Sequence, residues 1–190
     1  MDLKIKEMTP DLLDNFLYYF DEIGFADNPD WSVCYCQFYH FPGTIKEWEK
    51  RSKEENRNAS IDLICSGKMS GFIAYQDDDP VGWCNANLRE NYEKIPYEDD
   101  SPDSQGKKIA GIVCFLIAHT HRRQNVARQL LQYIILNFKD KGYDIIEAYP
   151  RKGKLSDAHS YRGPITLYES EGFTLYKEFP NFNVMRKILH

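Results

Sequence analysis

The sequence predicts a mixed α/β fold arranged around one central sheet. Three observations carry this prediction: a β-hairpin pattern over residues 69–88, an almost wholly apolar run over residues 109–119, and an amphipathic helix pattern directly after that run. A chain of 190 residues has the usual size of a single domain. We therefore expect one domain over residues 1–190.

The N-terminal half predicts a strand, two helices and the hairpin. Residues 3–8 alternate as a short strand does, and Thr9 followed by Pro10 marks a helix that runs to about Glu22. Residues 24–43 show no period and are interpreted as irregular. Residues 43–60 combine a threonine cap with a charge-rich pattern, which predicts a second, mostly solvated helix. In the hairpin, a polar turn at residues 77–80 joins two antiparallel strands.

The C-terminal half predicts the rest of the sheet. Residues 89–108 are polar and indicate a long exposed loop, in which we expect Asp99 to be solvated, with the attraction of cationic acceptors as the alternative. The apolar run at 109–119 is typical of a strand buried on both faces. Apolar residues then recur every four positions from Val126 to Phe138, which predicts a helix. Residues 143–150 predict a strand, 163–173 a short helix, and 174–179 and 183–189 the last two strands.

The composition limits the class of function. Hydrophobic residues make up 42% and charged residues 28%, as in ordinary globular proteins. A net charge of -5 argues against a nucleic-acid partner, because such proteins usually present a broad basic face. No stretch is apolar and long enough to span a membrane, and the first ten residues lack the apolar centre of a signal peptide. We therefore expect a cytoplasmic protein without a membrane partner.

The five cysteines predict reduced thiols, because their number is odd and their spacing is not that of a disulfide framework. Cys34 and Cys36, in "CYCQF", are expected to point to the same side of a strand and to line a pocket or the core. Since no second cysteine pair or nearby histidine completes a zinc set, we expect no metal site.

The junction "HTHRRQNVARQLL", residues 119–131, predicts an anion site. A helix that begins after a buried strand offers unpaired backbone N–H groups and the positive end of its dipole. Arg122, Arg123 and Arg128 add charge, and Asn125 is one of the few non-glycine residues that tolerate a positive φ. A phosphate can then approach the backbone closely. The alternative is that the arginines are solvated and the turn is only a turn.

Two motifs resemble those of the GNAT acetyltransferase superfamily. "RRQNVA" is similar to its Arg/Gln-x-x-Gly-x-Gly/Ala signature, with Arg122, Asn125 and Ala127 at the three defined positions. "LYESEGF", residues 167–173, resembles the late block Leu-Tyr-Glu-x-x-Gly-Phe. The order of elements agrees over nearly the whole chain. The departure is Asn125, which stands where glycine is usual.

The resemblance implies a mostly antiparallel sheet of six to seven strands flanked by helices, and acetyl-coenzyme A as co-substrate. It also implies that the buried strand separates from the next one, opening a gap for the thioester. The backbone of Phe115, Leu116 and Ile117 would pair with the pantetheine arm. The pyrophosphate would be held by the phosphate turn, which consists of Arg122, Arg123, Gln124, Asn125, Val126, Ala127 and Arg128.

For catalysis, the resemblance places Tyr168 at the position of the proton donor, and a phenol is a serviceable acid for a departing thiolate. The alternative is that Tyr168 belongs to the core. Glu147 stands where many family members carry a glutamate; it is either the base that deprotonates the amine or a structural carboxylate. The N–H of Ile117 is the expected oxyanion donor. His119 and His121 are interpreted as surface groups, with acid–base chemistry as the alternative.

The acceptor is expected to be a small-molecule amine. Trp31, Tyr35, Trp83, Asn85, Asn87 and Tyr161 lie on segments that border the acceptor cleft in the resembling fold. Aromatic and amide groups suit a small polar molecule, while the alternative assigns half of these residues to the core. We expect a monomer or a homodimer.

Two other functions stay open at this point. The chain could be a regulatory or interaction module that binds coenzyme A without turnover. It could also be an acyl hydrolase with Cys34 or Cys36 as nucleophile, although no cysteine–histidine–acid spacing supports that reading.

Overall fold

The computed structural model describes residues 3–99, 101–156 and 158–190. Within these residues, seven strands form one sheet with helices packed against it, as predicted. The strands are β1 (Lys4–Glu7), β2 (Phe72–Gln76), β3 (Asp79–Leu88), β4 (Ile109–Ile117), β5 (Ile145–Ala148), β6 (Thr174–Glu178) and β7 (Asn183–Ile188). The α-helices are α1 (Leu13–Tyr18), α2 (Ile45–Trp48), α3 (Lys53–Cys65), α4 (Val126–Asp140) and α5 (Ile165–Ser170).

The sheet is antiparallel except at its centre. Its strand order is β1-β2-β3-β4-β5-β7-β6, and β4 pairs with β5 in parallel. This single parallel pair requires a crossover, which α4 supplies. The predicted apolar residues of α4, among them Val126, Leu130, Ile134 and Phe138, belong to the main hydrophobic core. The periodicity therefore correctly predicted which face of the helix is buried.

The parallel pair ends early and leaves a gap. Its last paired residues are Ile112 and Ala148, whereas β4 continues to Ile117. On its other edge, β4 pairs with β3 with a register shift that leaves Val113 as an extra residue. Such a bulge bends the strand that carries it. The remaining part of β4 is therefore paired with β3 alone, and the separation from β5 that the motifs implied lies here.

Two helix predictions need correction. The single helix predicted over residues 43–60 is divided into α2 and α3, because the chain contains two capping boxes, Thr44 with Glu47 and Ser52 with Glu55. The helix near the N-terminus combines a 3₁₀ turn, α1 and a π-helical turn over residues 10–23. Thr9 does not cap it, and its hydroxyl instead bonds the Asp11 carboxylate.

The loop over residues 89–108 is anchored rather than simply exposed. Tyr92 and Tyr97 are buried in an aromatic cluster with Tyr149. The Asp99 side chain is 1% exposed and forms ion pairs with Arg186 and Lys177, so the expectation that it is solvated was wrong. Burial alone would raise the pKa of Asp99. Hydrogen bonds from Ser104, Lys177 and Arg186 outweigh this effect and hold the pKa below its usual value. Asp100 lies outside the described residues.

Candidate acyl-donor and acceptor site

Two adjoining cavities occupy the gap beside β4. The larger has a volume of about 640 Å³ and extends along residues 114–117 of β4. The smaller, of about 370 Å³, lies at the start of α4. They share the lining residues Ile117, Arg122, Arg123, Ala127 and Pro164. The two therefore form one continuous groove from the N-terminus of α4 to the interior of the protein.

The backbone of the phosphate turn contains two residues in the left-handed region. Asn125 has a φ of 65° and is the N-cap of α4, which confirms that asparagine is used here in the left-handed region. Arg123 also has a positive φ, of 60°, which its residue type did not indicate. The Asn125 side chain makes no capping hydrogen bond. The first turn of α4 thus presents its amides at the smaller cavity, an arrangement that binds anions in many proteins.

The three arginines of the turn differ in their contacts. The Arg122 guanidinium donates to both carboxylate oxygens of Asp27, at 2.6 and 2.9 Å, and its Nε donates to the Ile117 carbonyl at 3.1 Å. This hydrogen-bonded pairing lowers the pKa of Asp27. Arg128 donates to Glu171 at 2.9 Å. Arg123 lines both cavities. Arg122 therefore joins the turn to β4 and to the segment around Asp27.

The remaining residues of the turn also differ. Val126 lines the smaller cavity and Ala127 lines both. The Gln124 side chain instead donates to the Thr120 carbonyl at 2.7 Å. His121, interpreted as a surface group, is partly buried at the smaller cavity and lies 2.8 Å from the Gln76 amide oxygen. His119 is exposed, as expected.

The edge of β4 lies against the larger cavity. Phe115, Leu116 and Ile117 all line it. The Phe115 N–H donates to the Tyr161 carbonyl at 2.5 Å, so residues near Tyr161 form the opposite wall of the gap. Ser160, Gly163 and other residues of that wall line the same cavity.

Tyr168 lies outside the residues that line either cavity. Its side chain is fully buried, and its hydroxyl donates to the Arg162 carbonyl at 2.6 Å. Burial is the largest cause that raises its pKa well above 10. This geometry matches the alternative in which Tyr168 is a core residue.

Glu147 is buried in a network of donors. Its Oε1 accepts hydrogen bonds from the Tyr97 hydroxyl and Arg186 Nε, both at 2.7 Å. Its Oε2 accepts from Arg89 Nε at 3.2 Å and from the Tyr149 hydroxyl at 2.8 Å. A carboxylate has about four lone-pair positions, and four donors occupy them. Glu147 also lies outside both cavity linings, which fits the structural alternative rather than a base.

The predicted acceptor residues separate into two groups. Trp31 and Tyr161 line the larger cavity. The other four are buried in the interior: Tyr35, Trp83, Asn85 and Asn87. Tyr35 hydrogen-bonds Asp21, Asn85 donates to Cys36, and Asn87 donates to the Lys68 carbonyl. The acceptor side is therefore less rich in amides than the sequence suggested.

Sequence reasoning missed much of the aromatic wall. Phe25, Phe38, Tyr39 and Trp48 line the larger cavity beside Trp31. Three of these four belong to residues 24–43, where no periodicity assigns individual residues to a face. The abundance of aromatic residues in this irregular segment was the one signal in the sequence. It does not distinguish residues that line the cavity from residues of the hydrophobic core.

Three thiols also line the larger cavity: Cys34, Cys36 and Cys114. The expectation of a pocket or core position is confirmed, but the pair does not lie on a strand, since Cys36 has a φ of 57°. Asn85 lies between Cys36 and His40, bonding both, and burial lowers the pKa of His40 to about 4. In the described part of the chain, no hydrogen bond joins a cysteine to a histidine, so nothing there supports the hydrolase reading. Among the described residues, no cluster of metal-binding side chains is present.

The comparisons with known proteins agree with this geometry. Residues 31–162 match the model of the acetyltransferase (GNAT) family. No curated protein matches the chain significantly. In the described part of the chain, no helix has the length and apolarity that crossing a membrane demands.

Solved structures of low sequence identity share the fold. An N-acetyltransferase from Staphylococcus aureus superposes with a TM-score of 0.57 at 16% identity, with 100% of both chains covered. The PaiA N-acetyltransferase from Thermoplasma acidophilum, in complex with coenzyme A, gives 0.56 at 16% identity and 99% coverage of each chain. A ribosomal-protein-alanine N-acetyltransferase from Brucella melitensis gives 0.56 at 19% identity, covering 98% of this chain and 99% of the other.

Proposed function

The chain belongs to the GNAT acetyltransferase family, and from this premise we propose that it transfers the acetyl group of acetyl-coenzyme A to a primary amine of a small molecule. One observation carries the proposal: a continuous groove runs from the N-terminus of α4, along the part of β4 that does not pair with β5, to an aromatic pocket. These three parts of the groove match, in the same order, a ligand that consists of a diphosphate, a hydrogen-bonding arm and a reactive end.

The phosphate turn and the β4 edge are suited to hold such a donor. The first-turn amides of α4 and Arg123 supply positive potential for a diphosphate. The Phe115 carbonyl is the backbone group that we assign to an extended amide-containing arm, because the Phe115 N–H donates to the Tyr161 carbonyl and the Ile117 carbonyl accepts from Arg122. The donor fixes the thioester at the wall of the larger cavity, where the Ile117 N–H is our candidate for the oxyanion donor.

In the proposed reaction, a neutral amine attacks the thioester carbonyl carbon directly. The bond from nitrogen to carbon forms and the bond from carbon to sulfur breaks. The proton that the nitrogen loses is passed through solvent to the departing thiolate, so the products are an amide and the free thiol of coenzyme A. Glu147 is not proposed as the base, because its lone pairs are taken by four donors. The alternative of a nucleophilic cysteine predicts that replacing both Cys34 and Cys36 with alanine abolishes acyl transfer; direct attack predicts that it does not.

Tyr168→Phe separates a structural tyrosine from a proton donor. Because the hydroxyl is fully buried and donates to the Arg162 carbonyl, we expect turnover to change less than about tenfold. The free energy of unfolding should fall by about 1 kcal/mol, the usual worth of one buried hydrogen bond. Steady-state kinetics and urea unfolding measure the two quantities. A loss of turnover of roughly 10²–10⁴, with unchanged stability, would instead identify Tyr168 as the general acid.

Transfer of isotope-labelled acetyl from acetyl-coenzyme A to a panel of amines tests the proposed function. The panel should contain aromatic and alkyl monoamines, polyamines, aminoglycosides and a peptide with a free N-terminus. We expect label in a small-molecule product. Binding of coenzyme A without label in any product would favour the alternative, a coenzyme A-binding regulatory module.

A further inference from the structure

The larger cavity has two ends of different chemistry. One end adjoins the phosphate turn and contains Arg122 and Arg123. The end away from that turn is bordered by part of residues 20–48, a segment whose Asp27 pairs with Arg122, and by residues 160–163. Among all the described residues that line the cavity, Asp30 is the one acidic side chain. An acceptor in this cavity therefore meets a single carboxylate.

Aromatic side chains form most of the wall around this end. Trp31 packs edge-on against His159, with ring centroids 5.2 Å apart, and lies 6.0 Å from the Tyr161 ring. Phe38 and Trp48 pack against each other at 5.3 Å. The side chains of Trp31, Phe38 and Trp48 are only partly buried, so they expose apolar ring surface to the cavity.

Several polar groups near the sheet are engaged away from the cavity, whose own uncharged polar lining includes Asn28, Tyr39 and Ser160. Asn85 and Asn87 are buried and bonded within the interior. Glu147 and Asp99 are held by arginine and lysine side chains. A polycation in this cavity would place further ammonium groups against aromatic walls without carboxylate partners, which is costly.

We propose that the acceptor is a primary monoamine with an aromatic or similarly bulky apolar body, which packs against Trp31, Phe38 and Trp48 while Asp30 attracts its ammonium group. This inference rests on the proposed function and specifies its substrate. Covering ring surface drives binding of the body. Asp30, an exposed residue that lines the cavity, directs the amine without itself being assigned the chemistry.

The test compares matched amines as acceptors of labelled acetyl. 2-Phenylethylamine and ethylamine differ by the phenyl ring. We expect kcat/KM for 2-phenylethylamine to be roughly 10- to 100-fold higher, because this ratio corresponds to the free energy of burying one ring. Phenylalanine differs from 2-phenylethylamine by a carboxylate, which Asp30 should repel, so it should be the poorer acceptor. Spermidine and kanamycin should be poorer still.

Two variants connect this preference to the named side chains. Trp31→Ala should raise KM for 2-phenylethylamine about tenfold or more and weaken coenzyme A binding less than that, because Trp31 lines the larger cavity but not the smaller cavity at the phosphate turn. Asp30→Asn should raise the same KM and reduce the discrimination against phenylalanine. Asp78→Asn, in the exposed hairpin turn, removes a carboxylate elsewhere and should change neither.

The outcomes distinguish this inference from the function on which it rests. Preferential acetylation of spermidine or kanamycin, or equal use of 2-phenylethylamine and phenylalanine, would overturn the inference while supporting acetyl transfer. Failure to acetylate any amine, with coenzyme A still bound, would overturn both. A preference for 2-phenylethylamine that persists in Trp31→Ala and Asp30→Asn would assign the acceptor to another surface and so contradict the inference.

Discussion

Replacing Glu147 with glutamine is expected to lower the free energy of unfolding by about 3 kcal/mol or more. The side chain is fully buried and pairs with Arg186 and with Arg89. Glutamine keeps the shape but removes the negative charge and turns one acceptor into a donor that faces other donors. Arg89 is then left without its buried counter-charge, and Arg186 keeps only Asp99. Urea unfolding of the variant and the parent measures the loss.

The matched control is Glu90→Gln, which neutralises an exposed glutamate next to Arg89 in sequence. We expect it to change the free energy of unfolding by no more than about 0.5 kcal/mol. A contrary result would be a Glu147→Gln protein of parental stability whose turnover has fallen roughly 10²–10⁴-fold. That combination is the signature of a lost general base.

Replacing Ala127 with glutamate is expected to weaken coenzyme A binding by roughly 100-fold or more. Ala127 lies in the first turn of α4 and lines both cavities. A carboxylate placed about 4 Å from a phosphate costs about 4 kcal/mol at an effective dielectric constant of 20. Isothermal titration calorimetry with coenzyme A measures the change.

The same substitution should leave the fold intact, which makes the loss of binding interpretable. An acidic residue in the first turn interacts favourably with the helix dipole, by about 0.3–1 kcal/mol, and Ala127 is only partly buried. Ala127→Ser, which adds one small polar group, serves as the control and should bind coenzyme A within a few-fold of the parent. If Ala127→Glu bound coenzyme A with parental affinity, the diphosphate could not lie at the start of α4.

Periodicity predicted the elements of the fold because most of them bury one face. The apolar residues of α4 recur every four positions, and the apolar run of β4 reflects burial on both sides. The boundary between α2 and α3 was harder to predict from the sequence. Few residues of these helices are buried, and only the capping residue Ser52 marks where the second helix begins. Patterns of burial are local in sequence, so a single sequence can report them.

The candidate site was predictable only where a backbone requirement selects the residue type. Asn125 indicated the left-handed turn before the structure placed it at a φ of 65°. The role of Glu147 was not predictable, since three of its four donors come from residues 89, 97 and 186, far apart in the sequence. Likewise, nothing near Arg122 in sequence indicates Asp27, the partner that engages its guanidinium. Such contacts arise from the folding topology.

The most direct test of the central proposal is an amide NMR titration of the protein with coenzyme A. If the diphosphate is bound by the backbone at the start of α4, the largest shifts of amide resonances will fall on residues 123–128 and on Phe115 and Ile117. The capped N-terminus of α3, residues 52–55, provides an internal reference that should not shift. Saturable binding of coenzyme A that leaves residues 123–128 unshifted would contradict the account.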